Sequence, residues 1–101
     1  MELPKLRIGN LIADIPIVQG GMGVRVSLAS LATAVANEGG IGTISSIGLA
    51  DLKLVGKEFE ARSREALINE IEKARSLTSG LLAVNVMGAL SNAADLVTAT
   101  I

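Results

Sequence analysis

Three short apolar runs, at residues 15–19, 41–45 and 81–87, alternate along this chain with stretches whose apolar residues recur at helical spacing. No other property limits the fold as strongly. Short strands separated by connections long enough to hold a helix do not form a meander of tight hairpins; they pair in parallel through βα crossovers. The runs are continuous in apolar residues rather than alternating, which is the pattern of strands covered on both sheet faces. The expected class is therefore α/β.

Local signals place the boundaries. Residues 5–8 and 11–13 flank Gly9-Asn10, a dipeptide that tolerates the positive φ of a two-residue turn, so the chain opens with a small β-hairpin. Pro16 is acceptable at the start of a buried strand. Ser27 stands where an N-cap is needed, and Leu28, Leu31, Ala32 and Val35 follow at helical spacing until Gly39-Gly40 stops the run. Residues 47–62 mix Gly48, Gly56 and charges and read as a loop with one helical turn near 51–54. A second helix is expected from Ser63, with Leu67, Ile71 and Ala74 on one face. Glu65 in its first turn and Lys73 and Arg75 in its last complement the helix dipole, and Glu70–Lys73 and Glu72–Arg75 are expected pairs on a solvated face. Gly80 ends that helix, and Ser91 or Asn92 caps a final one.

Composition narrows the function. A chain of 101 residues makes one modest domain. Hydrophobic residues reach 50%, charged residues only 19%, and Phe59 is the single aromatic, so the core is small and aliphatic and apolar surface is left to bury against other protein. A net charge of -1 with scattered basic residues leaves no footprint for nucleic acid. Cysteine and histidine are both absent, which removes disulfides, thiol nucleophiles, zinc clusters and the commonest general base at neutral pH. No metal site is expected. The start of the chain lacks the apolar run of a secretory signal, and no segment approaches the roughly 18 uninterrupted apolar residues of a membrane span. A cytoplasmic protein is expected.

Two features carry chemistry. The first apolar run leads directly into Gly20-Gly21-Met22-Gly23, which strips the main chain of side chains over a length that suits a planar ligand. The third contains one amide, Asn85, among apolar residues. Nucleotide motifs do not account for the glycines: Val26 stands where a third glycine would complete G-x-G-x-x-G, and Gly48 to Lys57 has neither the spacing nor the hydroxyl residue of a phosphate loop. A planar flavin suits both features. Each residue also has a plainer reading. Gly20 to Gly23 as a tight strand-to-helix connection, Asn85 as a satisfied buried amide, Met22 and Met87 as core filler, and Ser45 and Ser46 as caps of local backbone all remain open. Gln19 either orients neighbouring groups or bonds a backbone.

The segments Pro16-Ile17-Val18-Gln19-Gly20-Gly21-Met22-Gly23, Ala34-Val35-Ala36-Asn37-Glu38-Gly39-Gly40-Ile41-Gly42-Thr43-Ile44 and Val84-Asn85-Val86-Met87 resemble, in order and spacing, the FMN-dependent nitronate monooxygenases, formerly 2-nitropropane dioxygenases. The flavin-type enoyl-acyl-carrier-protein reductases are similar. The resemblance implies a TIM (β/α)8 barrel holding FMN at the C-terminal ends of its strands. It places Gly20, Gly21, Met22, Gly23 and Ser45 around the flavin and makes Asn85 a hydrogen-bond partner of the ring. The family's histidine and its phosphate-binding loops have no counterpart here, so no residue of this chain is expected to be the catalytic base.

A complete barrel of this type takes roughly 250 residues. The chain is accordingly expected to be the N-terminal part of one, with residues 1–14 a hairpin cap and 15–101 the first three βα units. Its partners would be a small-molecule substrate and the remainder of the barrel, or other copies of the chain. Alone it is expected to bind flavin weakly and not to turn over. The leading expectation is oxidation of alkyl nitronates with oxygen; the alternatives are the NAD(P)H-dependent enoyl reductase and a non-catalytic split-barrel assembly element.

Overall fold

A computed structural model describes residues 2–101. Strands β1 (Leu6–Ile8) and β2 (Leu11–Ala13) form the expected antiparallel hairpin, with Ile8 opposite Leu11 and Gly9 at φ +59° in the turn. Beyond it come α1 (Ala29–Asn37), β3 (Ile41–Ser45), α2 (Gly56–Leu77), β4 (Leu81–Asn85) and α3 (Ala93–Thr100). β3 and β4 pair in parallel, from Ile41 opposite Leu81 to Ser45 opposite Asn85. On the other side of β3, Val18 makes one parallel bridge to Ile41; Gln19 N donates to Ile41 O (3.0 Å) and Ile41 N to Ile17 O (2.9 Å). All three parallel segments therefore deliver their C-terminal ends to one side.

The first segment is shorter as a strand than its apolar run suggests. Pro16 has no N–H to donate, and after Gln19 the backbone turns away into the glycines. The Gln19 side chain supplies the next rung instead, taking a bond from Thr43 N and giving one to Thr43 O, each 3.1 Å.

The three helices lie against one sheet face, where Ile44 meets Ala29, Ala32, Leu67, Ala74 and Leu96, with Leu82 and Val84 packed alongside. Burying each large aliphatic side chain here contributes about 1.5–3 kcal/mol. A core with no aromatic residue fills its volume by bringing backbones together. A Cβ on Gly42 would lie 1.8 Å from Ala32 O, and one on Gly80 2.6 Å from Ala36 O, so α1 rests directly on β3 and on the approach to β4. Both faces of β3 are covered, as expected, but by different elements. On the face opposite the helices, the hairpin residues Leu6, Ile8 and Leu11 meet Val18, Ile41 and Leu81 around a cavity of about 260 Å³ at the N-terminal ends of the strands. Helices cover only one side, and β4 is accordingly half-buried where β3 is buried throughout.

Three boundaries also differ from expectation. α2 begins at Gly56, not Ser63, because Phe59 extends its inward row of Ser63 and Leu67 by one more turn. Ser63 is buried within the helix. Its carboxylates and amines are not all a solvated face, since Glu70 Oε2 accepts a bond from Ala29 N at 2.9 Å and ties α2 to the first residue of α1. Among the described residues the charged contacts are Arg62–Glu65 (3.2 Å), Arg64–Asp95 (3.4 Å) and Lys5–Asp14 (3.5 Å), rather than Glu70–Lys73 or Glu72–Arg75. Finally, β4 stops at Asn85, two residues early, so the amide sits at a strand end rather than in its middle. Among the described residues no helix is long and apolar enough to cross a membrane.

Candidate functional site

The glycine loop follows the first parallel segment and is shaped by Ser27. This residue is not the N-cap of α1; Leu28 occupies that position and makes no side-chain cap bond. Ser27, 1% exposed, closes the loop on itself instead. Its N–H donates to Met22 O, its Oγ accepts from Met22 N, both at 2.9 Å, and its carbonyl accepts from Ser45 N at 2.8 Å. Gln19 Nε2 donates to the same Oγ at 3.2 Å. Gln19 thus both orients its neighbours and bonds a backbone, and the six-residue loop is pinned to β3 at two levels.

Pinned in this way, the glycines lie beside the strand ends. A Cβ on Gly21 would fall 2.7 Å from Asn85 Cβ and 3.1 Å from Thr43 Cγ2, and a Cβ on Gly23 would fall 2.9 Å from Ile47 Cβ. Close approach explains glycine at these two positions. Gly20 has open space around it, and Met22 is 62% exposed. Met22 N is committed to Ser27, whereas the N–H groups of Gly20, Gly21 and Gly23 donate to no partner among the described residues.

Asn85 is exposed, and its carbonyl accepts from both Ser46 N (3.1 Å) and Ser46 Oγ (2.8 Å). Its carboxamide has no hydrogen-bond partner among the described residues. The reading of Asn85 as a satisfied buried amide does not describe this environment. Ser45 is different. At 1% exposed, its Oγ accepts from Ile47 N at 3.4 Å, so its hydroxyl serves local backbone. The structure brings Gly21 against Asn85, sets Gly23 against Ile47, and pairs the buried Ser45 with Asn85 at the strand ends.

Two supporting residues gave no sequence signal. Arg25, at φ +58°, sends its guanidinium to the carbonyls of Gly48, Leu49 and Ala50 at 3.1–3.3 Å and joins the loop after the first segment to the loop after β3. Glu70 holds the start of α1 from another helix. Neither contact follows a local spacing rule, because each partner lies more than twenty residues away. What results is a backbone shelf pinned through Ser27, with glycines at its floor and one exposed amide at its edge.

No curated protein matches the chain. The family model for nitronate monooxygenase matches residues 6–100 and so spans the hairpin, the glycine loop, both paired strands and all three helices. With nearly its whole length matched, the chain belongs to the nitronate monooxygenase family and is enzyme-like in origin.

Proposed function

We propose that this chain supplies the flavin-cradling face of an FMN-dependent oxidoreductase, a nitronate monooxygenase that oxidises alkyl nitronates with molecular oxygen. The observation that carries the reading is the Gly21–Asn85 contact, a side-chain-free backbone held against a carboxamide with no partner of its own. The residues present fit FMN. Unpartnered N–H groups at Gly20, Gly21 and Gly23 suit ring heteroatoms, and Asn85 offers a donor and an acceptor to the pyrimidine portion. Bound FMN would supply the electron transfer itself. Gly21 and Gly23 leave the shelf free of side chains, the exposed and polarizable Met22 thioether would be available to the ring, and Ser27 and Gln19 hold the loop in register with β3. Ser45 contributes through its backbone bond to Ser27. No residue of this chain is assigned as the catalytic base.

In the same reading residues 15–101 are the first three βα units of a TIM barrel, capped by the hairpin in residues 1–14. Helices on one sheet face support this, as does the outer edge of β4, unpaired among the described residues. Further strands, from a longer polypeptide or from other chains, would continue the sheet there. The setting is cytoplasmic, which suits a chain without cysteine.

Titrating FMN into the protein while following flavin fluorescence tests the cradle. Saturable quenching supports it even at a weak Kd, about 0.1 mM, as expected of a chain with no counterpart of the family's phosphate-binding loops. A protein that stays colourless and leaves the fluorescence unchanged is the non-catalytic assembly element instead. In the completed barrel, oxygen uptake with an alkyl nitronate, without NAD(P)H, would identify the monooxygenase, and NADH consumption with an enoyl thioester the enoyl reductase. Asn85→Ala should weaken FMN about tenfold, through loss of hydrogen bonding worth about 1.4 kcal/mol, and leave the denaturation midpoint in place.

A further inference from the structure

We propose that Thr43 is a positioning residue of the cradle: its hydroxyl accepts one of the two Nδ2 protons of Asn85 and so fixes which edge of that carboxamide faces the flavin. This role rests on the flavin reading and adds to it a residue outside the glycine loop and the end of β4. The Asn85 carboxamide needs an anchor, because it is exposed and has no partner among the described residues. With one proton held by Thr43, the other lies beside Oδ1, and that donor and acceptor together complement the N–H and adjacent carbonyl of the pyrimidine portion.

The starting observation is an orphaned hydroxyl. Thr43 is 5% exposed, and its Oγ1 is fully enclosed with no hydrogen-bond partner among the described residues. Folded proteins pair nearly all such groups, and one left unpaired opposes folding. Valine has the same shape, suits a strand and would carry no such cost. Among the described residues the other enclosed, unpartnered side-chain oxygen is Thr33 Oγ1. Thr33 lies in α1, where a hydroxyl can turn to the carbonyl four residues back, that of Ala29. A strand offers no such carbonyl, so the Thr43 hydroxyl needs a partner from elsewhere.

Its neighbours identify that partner. Gly42 and Ile44 face the helices, so Ile41, Thr43 and Ser45 face the opposite side of β3. On that side Thr43 stands between Ile41 and Ser45 along the strand and opposite Ala83 of β4. Ile41 and Ala83 are apolar, and Ser45 Oγ is engaged with Ile47 N. The Gln19 carboxamide is spent on the N–H and carbonyl of Thr43 and on Ser27 Oγ. Asn85 remains. Thr43 Cγ2 and Asn85 Cγ lie 3.1 and 3.4 Å from one point, the Cβ position of Gly21, so the two side chains flank the same bare stretch of main chain. One step of χ1 between staggered positions carries Oγ1 to the place of that methyl, on the side of Asn85.

The test is a titration of FMN into ¹⁵N-labelled protein and its Thr43→Val and Thr43→Ser variants, followed by backbone and side-chain amide shifts, with thermal unfolding in the absence of FMN as the second measurement. Thr43→Val removes an enclosed, unpaired hydroxyl and should raise the unfolding midpoint by about 4–8 °C. The same variant should bind FMN about tenfold more weakly and lose most of the Asn85 carboxamide shift at saturation, while the Gly21 amide still moves. Thr43→Ser should return the affinity to within about threefold of the unaltered protein and restore the Asn85 shift. A threonine that only packs would not move stability and affinity in opposite directions. Equal FMN affinity of Thr43→Val and the unaltered protein, or an undiminished Asn85 shift in that variant, overturns the proposal and leaves the flavin reading standing. A lowered Thr43→Val midpoint overturns it as well, because the hydroxyl would then already have a partner. If FMN moves no resonance of the unaltered protein, the flavin reading falls and the proposal falls with it.

Discussion

Gly21→Ala tests the floor of the cradle most directly, because the structure gives both the obstacle and its control. Gly21 has no positive φ, so alanine is acceptable to the backbone and any cost comes from packing. The new Cβ would stand 2.7 Å from Asn85 Cβ and 3.1 Å from Thr43 Cγ2. The first of these atoms is fixed by the β4 backbone and cannot swing aside as a side-chain tip would. Either the loop or the end of β4 must shift by more than half an ångström, against the bonds from Ser27 to Met22 and from Ser46 to Asn85. Such overpacking costs about 1–3 kcal/mol, or a midpoint lowered by about 5–15 °C in a domain of this size. Gly20→Ala is the matched control: nothing lies within 4 Å of its Cβ and its φ is also unexceptional. It should be neutral or stabilise by about 0.5 kcal/mol through the unfolded chain. Urea denaturation of the two variants side by side, with FMN quenching as a second readout, measures the difference. Equal stability of Gly21→Ala and Gly20→Ala would show that the loop does not rest on Asn85 and would remove the geometric basis of the cradle.

Three other outcomes follow from named contacts. Ser27→Ala strands Met22 N and one Gln19 N–H, and should lower stability by about 2–3 kcal/mol in urea denaturation while loosening FMN; Ser27→Thr, which keeps the oxygen, should recover much of the loss. Glu70→Ala removes the acceptor at the first residue of α1 and should cost about 1 kcal/mol, whereas Glu70→Gln should cost less than half of that; equal losses would show that the Ala29 bond contributes nothing. Gly42→Ala should abolish cooperative folding by circular dichroism, since its Cβ would lie 1.8 Å from Ala32 O and no side-chain movement relieves a clash with main chain.

Much of this arrangement is legible in the sequence where the controlling interaction is local. The hairpin follows from Gly9-Asn10, the parallel strands from apolar runs too short and too far apart to be hairpins, and the bare loop from three glycines in four residues. Helix starts are less legible. Ser27 has the residue type and position of an N-cap, but a hydroxyl in such a place accepts whichever donor the tertiary fold presents, and here Met22 N and Gln19 Nε2 reach it first. The start of α2 is obscured by the glycine and charges of residues 56–58, and only the packing of Phe59 beside α3 reveals the extra turns.

By itself, the amino-acid sequence determined the class of fold, the order of its elements, the small-residue core and the place where main chain is exposed, because periodicity, turn chemistry and the absence of side chains act over a few residues. Tertiary structure decided which groups share a site. Gly21 against Asn85, Gln19 standing in for a strand rung of Thr43, Glu70 at the start of α1, and Thr43 beside Gly21 each join residues far apart in the chain. Such pairings depend on how closely α1 sits on Gly42 and how the strands align, distances that no local pattern encodes.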